Sequence, residues 1–233
     1  MALDVYVGGF SRYYSFQWEN VAQRFSRESG MEYRMVGPGG PPQPADWNEV
    51  AKSVSQWKAA INEGLADNIA VPLEWDETKT APYFTDRPGY DPYGALKVWT
   101  AHAERGTSPP ELYSGEWYTD EAYIECSKPK HDQKYRAILC GSLWLPGDFE
   151  FSFDFENLAG EKAHICSNNS LLQSLELLRQ DSFNLTDAEL EAAVKNDSGD
   201  APSVRSLAQF ALWIFLELTK KSVTHHLPIV LNF

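Results

Sequence analysis

The spacing of apolar and polar positions changes period several times along the chain, and each change marks an element. Leu3 to Val7 alternates and stops at Gly8-Gly9, the pattern of an opening strand and a turn. From Phe16 to Ser29 the apolar positions Trp18, Val21, Ala22 and Phe25 recur at three and four, which predicts a helix capped by Ser15 and stopped by Gly30. Glu32 to Val36 has strand character, and Gly37 to Pro44 is a Gly/Pro-rich spacer whose order does not fit a phosphate loop. The clearest helix follows: Asp46 and Glu49 form a capping box, and Trp47, Val50, Val54, Trp57 and Ile61 mark one face up to about Gly64. Asp91-Pro92 opens another helix through about Glu104, with Leu96, Trp99 and Ala103 on its buried side, and Thr119-Asp120-Glu121 opens a short one.

In the second half, Phe149 to Phe155 alternates strictly and puts four phenylalanines on one face. Turn residues on either side make Ile138 to Leu145, Phe149 to Phe155 and Lys162 to Cys166 a predicted antiparallel meander. Ser170 to Gln180, Asp187 to Lys195 and Ser203 to Lys221 read as helices, the last apolar enough to be central, and Val223 to Phe233 as a closing strand. The polar break Asn196 to Pro202 is too short for a domain linker. The expectation is an α+β fold in one domain, 1–233: an antiparallel meander at about 138–166 with terminal strands, covered by several helices.

Composition narrows the partners. Thirty-three acidic against 20 basic residues give a formal charge of −13, a field that repels phosphate backbones and anionic lipid and attracts basic partners. Nucleic acid and membrane are therefore not expected, although acidity also serves solubility alone. Met1 to Phe10 has no signal-peptide pattern, and the longest apolar run, Ala211 to Leu216, is far short of a membrane span, so a cytoplasmic protein is expected. Three cysteines without CxxC spacing point to reduced, buried thiols, with neither a disulfide framework nor a zinc site. No metal or cofactor is expected.

Catalytic signatures are missing: there is no HExxH, GxSxG, Walker or GxGxxG sequence. Ser55-Gln-Trp-Lys58 matches SxxK, but it lies inside an amphipathic helix and lacks the companion elements, so coincidence explains it. Two stretches remain. Pro72 to Tyr93 lacks clear periodicity and holds Trp75, Tyr83, Asp86, Arg87 and Asp91, and loops of that length are often functional. Glu116, Trp117, Asp120 and their neighbours form a second aromatic and acidic patch, and the two together suggest one continuous acidic face. The plainer reading gives these aspartates to turns and caps and the rings to the edge of the core.

Leu3 to Gly8, Arg12-Tyr13-Tyr14, Trp18-Glu19, Pro82 to Asp86, Tyr93 to Leu96 and Leu143 to Pro146 resemble a set of uncharacterised bacterial proteins whose chains start similarly. The resemblance implies a bacterial cytosolic origin and carries over no catalytic residue. Two functions follow as expectations. The first is a protein-interaction module, an immunity protein that neutralises a basic toxin by occlusion: Asp86, Asp91, Glu116 and Asp120 steer the basic protein in, and Trp75, Tyr83 and Trp117 anchor it. The alternative is a small-molecule enzyme or binding protein whose pocket lies between the 72–93 loop and the loop after the first strand. There Asp86 or Asp91 acts as base and Arg12 or Arg87 holds an anionic substrate.

Overall fold

A computed structural model describes residues 3–32, 44–128, 130, 132–195 and 203–232. In chain order the elements are β1 (Asp4–Val7), α1 (Phe10–Tyr14), α2 (Val21–Glu28), α3 (Trp47–Leu65), β2 (Phe84–Asp86), α4 (Tyr90–Arg105), α5 (Glu121–Cys126), α6 (Arg136–Leu139), β3 (Leu143–Leu145), β4 (Phe153–Glu156), β5 (Lys162–Ser167), α7 (Asn168–Leu177), α8 (Asp187–Lys195), α9 (Val204–His225) and β6 (Ile229–Asn232). A single 3-10 turn covers Trp117–Thr119, and a π-helical turn, Leu178–Phe183, extends α7. The fold is α+β, with one six-stranded sheet in the order β2-β1-β6-β3-β5-β4.

The two-residue period of the strands sorts their side chains into two cores. Val5 and Val7 of β1, Trp144 of β3, Cys166 of β5, and Ile229 and Leu231 of β6 face a first core shared with α4, α7 and α9. Tyr6, Leu143, Leu145, Ala163, Ile165 and Val230 face a second core closed by α3, Phe10 and Trp75. Helix α9 runs 22 residues from a Ser203 cap and buries Leu212, Phe215, Leu216 and Leu218, each worth about 2 kcal/mol in transfer terms. Because helices pack on both sides, the sheet has no open face, unlike a sheet covered on one side only.

Local pattern located most elements and misjudged three. The predicted 16–29 helix starts late and an unexpected one precedes it: Phe16 has φ 55°, a left-handed conformation that a helix cannot continue through, so α1 (Phe10–Tyr14) ends before it, and α2 begins only at Val21, from an Asn20 capping box with Gln23 and not from Ser15. The 138–166 region holds three strands, but β3 pairs parallel with β5 and antiparallel with β6, and β4 pairs with β5 alone of these strands. It is therefore not a meander in sequence order. Its first leg is shorter than expected because residues 136–139 form α6. The closing strand is likewise short because α9 continues to His225. The expected strand at 32–36, the 37–44 spacer, the 196–202 break and Phe233 lie wholly or largely outside the described residues.

Candidate functional site

The segment after β1 and the 72–93 stretch meet on the second-core side. Gly8-Gly9 leads directly into α1, whose first amides need acceptors. The Glu77 carboxylate supplies them, accepting from Phe10 N at 2.9 Å and Ser11 N at 2.7 Å, and it also accepts from the Trp75 indole. A Cβ at Gly9 would lie 2.9 Å from the Asp76 carbonyl oxygen and from Glu77 Oε2, so only glycine admits this approach. Arg12 donates to the carbonyls of Lys79 and Ala81 and lies 4.8 Å from the centre of the Tyr83 ring. Tyr6 donates to Gly9 O, and its ring meets Tyr13, Trp18 and Tyr83. Trp75 is 6% exposed. At the other end of β2, Arg87 forms a bidentate pair with buried Asp4, and Asp86 accepts from the Arg87 amide.

The 111–125 segment packs on the opposite side of the sheet, against the first core. It holds five carboxylates and no lysine or arginine. Its path is pinned at both ends. Leu112 bridges to Ser203 and Val204 N donates to Glu111 O, while Asp120 caps α5 through Tyr123 N. Between them the 3-10 turn folds Trp117 inward against Tyr90, Tyr93 and Tyr123 and leaves Tyr118 52% exposed. The inward fold depends on Gly94 in α4, where a Cβ would stand 2.1 Å from Trp117 Cδ1 and 2.4 Å from Tyr113 Oη. A mid-helix glycine costs up to about 1 kcal/mol relative to alanine, and here the close approach of two rings requires it.

A recess of about 280 Å³ opens beside these rings, walled by Val98, Pro110, Leu112 and Val204, with Tyr113, Trp117 and Asp120 among its polar members. Tyr113 Oη and Trp117 Nε1 are both buried and have no hydrogen-bond partner. Burial pushes the Tyr113 phenol well above its ordinary pKa, with the nearby Asp91 carboxylate and Tyr90 adding to the effect, so it stays a neutral hydroxyl. Leu112, which lines the recess, and Ile124 of α5 are exposed apolar residues. Asp120 is 3.3 Å from His102 and Glu125 is 3.2 Å from Arg105, whereas Asp91, Glu111, Glu116 and Glu121 have no ion-pair partner among the described residues. In this sense the face is open: it presents charge and apolar surface without internal partners.

The residues singled out in the sequence thus divide. Trp75, Tyr83 and Arg12 belong to the fastening of α1, and Asp86 and Arg87 to the end of β2, while Asp91, Glu116, Trp117 and Asp120 gather on the open face. The long loop and the second patch therefore do not make one continuous acidic face, since the alternation of β1 sends their packing to opposite sides of the sheet. Sequence reasoning missed Tyr113, Leu112, Ile124 and Gly94. The mid-helix glycine was the available signal for the last.

Among the described residues no group of three or more His, Cys, Asp or Glu side chains is placed to hold a metal ion, and no helix is long and apolar enough to cross a membrane. All three cysteines are free. The chain matches no protein-family model, and no curated protein or solved structure shows significant similarity to it.

Proposed function

We propose that the protein is an interaction module of the immunity type, which neutralises a basic protein partner by covering it with the 111–125 face. One observation carries the reading: the 111–125 segment, with five carboxylates and no lysine or arginine, lines a recess through Leu112, Trp117 and Asp120 and exposes Leu112, Tyr118 and Ile124. Apolar anchors inside a charged rim are the arrangement in which desolvated contacts supply affinity and long-range charge supplies on-rate. The overall charge of −13 acts in the same direction. The convergence of the 72–93 loop with the loop after β1 supports the enzyme alternative less well, because Arg12, Arg87 and Glu77 are each engaged by nearby protein groups.

The test immobilises the full chain, exposes it to extract of its source organism at low and then high salt, and repeats this with Trp117→Ala and with Glu116→Gln/Glu121→Gln. The expected result is one stoichiometric basic partner, held by the wild type, released by salt and lost from both variants, whose own activity is blocked in the complex. Retention that ignores salt, or is equal in the variants, overturns the proposal.

A further inference from the structure

On the second-core side, at the end of the sheet where β3 and β5 begin and β6 finishes, a recess of about 220 Å³ lies between α1 and the turn joining β4 to β5. Tyr13 and Tyr14 of α1 line it, their rings at 89° to one another with centroids 5.0 Å apart. Leu143, Ala163 and Val230 are its apolar members, and Glu161 brings a carboxylate. The turn fixes that carboxylate: Asn157 Oδ1 accepts from the Ala159 and Glu161 amides, and Asn157 Nδ2 donates to Glu161 Oε2 at 3.3 Å. Lys162 also lines the recess, but its ammonium pairs at 2.8 Å with Asp154, which does not line it. Glu161 itself has no ion-pair partner among the described residues. Burial is the main cause that raises both phenols above their ordinary pKa, and Glu161 adds to it in each, so the carboxylate acts on both rings.

Perpendicular aromatic rings beside a carboxylate attract a cation, through the negative faces of the rings and the charge of the acid. The hydrogen bonds decide which cation. A primary ammonium or a guanidinium brings several N–H groups, each needing an acceptor. The side-chain acceptors here are already engaged. Tyr13 Oη bonds Asn232 Oδ1, Tyr14 Oη bonds the Leu158 backbone, Ser142 Oγ accepts from the His164 amide, and Asn157 Oδ1 holds its two amides. A cation without N–H groups loses nothing in such a recess, and its methyl groups suit both the rings and the apolar members. We propose that the recess binds a trimethylammonium group, its methyls against the Tyr13 and Tyr14 rings and its charge beside Glu161. The 111–125 face lies on the other side of the sheet, so this site stands or falls independently of the interaction reading.

The test titrates choline into the full chain at fixed ionic strength and reads binding by calorimetry. Dimethylbutanol, its uncharged isostere, and ethanolamine, its primary ammonium counterpart, serve as comparators. Choline should bind, with the isostere about 10-fold and ethanolamine about 5-fold weaker. Glu161→Gln and Tyr14→Leu should each weaken choline about 5-fold, whereas Tyr14→Phe, which keeps the ring, should retain its affinity. Glu63→Gln removes an exposed carboxylate of α3 that does not line the recess and should change nothing. A blocked Gly-trimethyllysine-Gly peptide separates the sources of the group: binding tighter than choline assigns it to a protein side chain, and weaker binding to a free solute. The proposal is overturned if neither choline nor the peptide binds, if the isostere binds as well as choline, or if Glu161→Gln and Glu63→Gln behave alike. Should Tyr14→Leu fail to fold, the isostere and Glu161→Gln, on an exposed turn, still decide.

Discussion

Two stretches of this chain look alike in composition and differ in what their polar groups have found. In the 72–93 stretch, Glu77 receives three donors, Arg12 reaches two carbonyls and a ring, and Arg87 grips Asp4 with two hydrogen bonds. In the 111–125 stretch, Glu111, Glu116 and Glu121 have no ion-pair partner among the described residues, and two buried polar atoms lack hydrogen bonds. Native proteins satisfy nearly all buried polar groups, so the first stretch behaves as a fastening, although Ser11 Oγ of α1 also lacks a partner, and the second is the less satisfied of the two. Aromatic and acidic content alone does not separate the two. Satisfaction does.

The largest test of this contrast is Glu77→Ala. It strips the acceptor from two amides at the start of α1 and from the Trp75 indole, and hydrogen bonds to a carboxylate are among the stronger ones. A loss of about 3 kcal/mol in unfolding free energy by urea titration is expected, against a change within about 0.5 kcal/mol for exposed Glu116→Ala. Equal effects at the two positions would remove the distinction between fastening and face.

A finer test replaces one hydroxyl on each side. Tyr6 Oη donates to Gly9 O at 3.0 Å, whereas Tyr113 Oη has no partner. Tyr6→Phe should therefore cost about 1 kcal/mol, and Tyr113→Phe should be neutral or stabilising by up to about 1 kcal/mol, both read by urea titration. The opposite signs are the point of the comparison: if both variants lose stability alike, Tyr113 is a structural hydroxyl.

How much of this was legible in the sequence follows the range over which each signal acts. The Asp46 cap of α3, the Asp120 cap of α5 and the Ser203 cap of α9 are decided within four residues; Asp46 accepts from the Asn48 and Glu49 amides as its half of the expected capping box, while Asp120 and Ser203 were read only as the starts of helices. The alternation of 149–155 likewise turned its phenylalanines toward one core, although the strand it predicted is formed only over Phe153–Glu156. The parallel pairing of β3 with β5 was invisible, because β3 is three residues long and both its edges are claimed by strands distant from it in sequence. The site divided in the same way. Trp117, Glu116 and Asp120 stood out as an aromatic and acidic cluster. That Trp75 would turn inward depended on Phe10 and Trp57, against whose rings it packs edge-on, and neither is near it in the chain.

The smallest expected effect at moderate pH concerns the cores behind the two regions. On the side of the sheet that carries the open face, burial pushes the Cys166 thiol up to about 12 and Cys140 up to about 11, from an ordinary 9.0. On the fastening side, burial is the main cause that raises the Tyr14 phenol to about 12 from 10.0. Each group keeps its proton longer when folded, so its contribution is complete below its ordinary pKa and is lost as pH rises through the folded value. Lys97 opposes this. Its amine, 3% exposed in residue terms and donating to the Ile138 and Leu139 carbonyls, has a pKa lowered by burial, so stability gains from it as pH rises toward 10.5. The thiols therefore draw the urea midpoint down from about pH 9 and the phenol adds its own loss from about pH 10, while Lys97 works against them up to 10.5. Cys166→Ala should flatten the first part of the descent and leave the second. A variant whose midpoint changes with pH as the wild type's does from pH 9 would show that the Cys166 thiol has no part in the response to alkali.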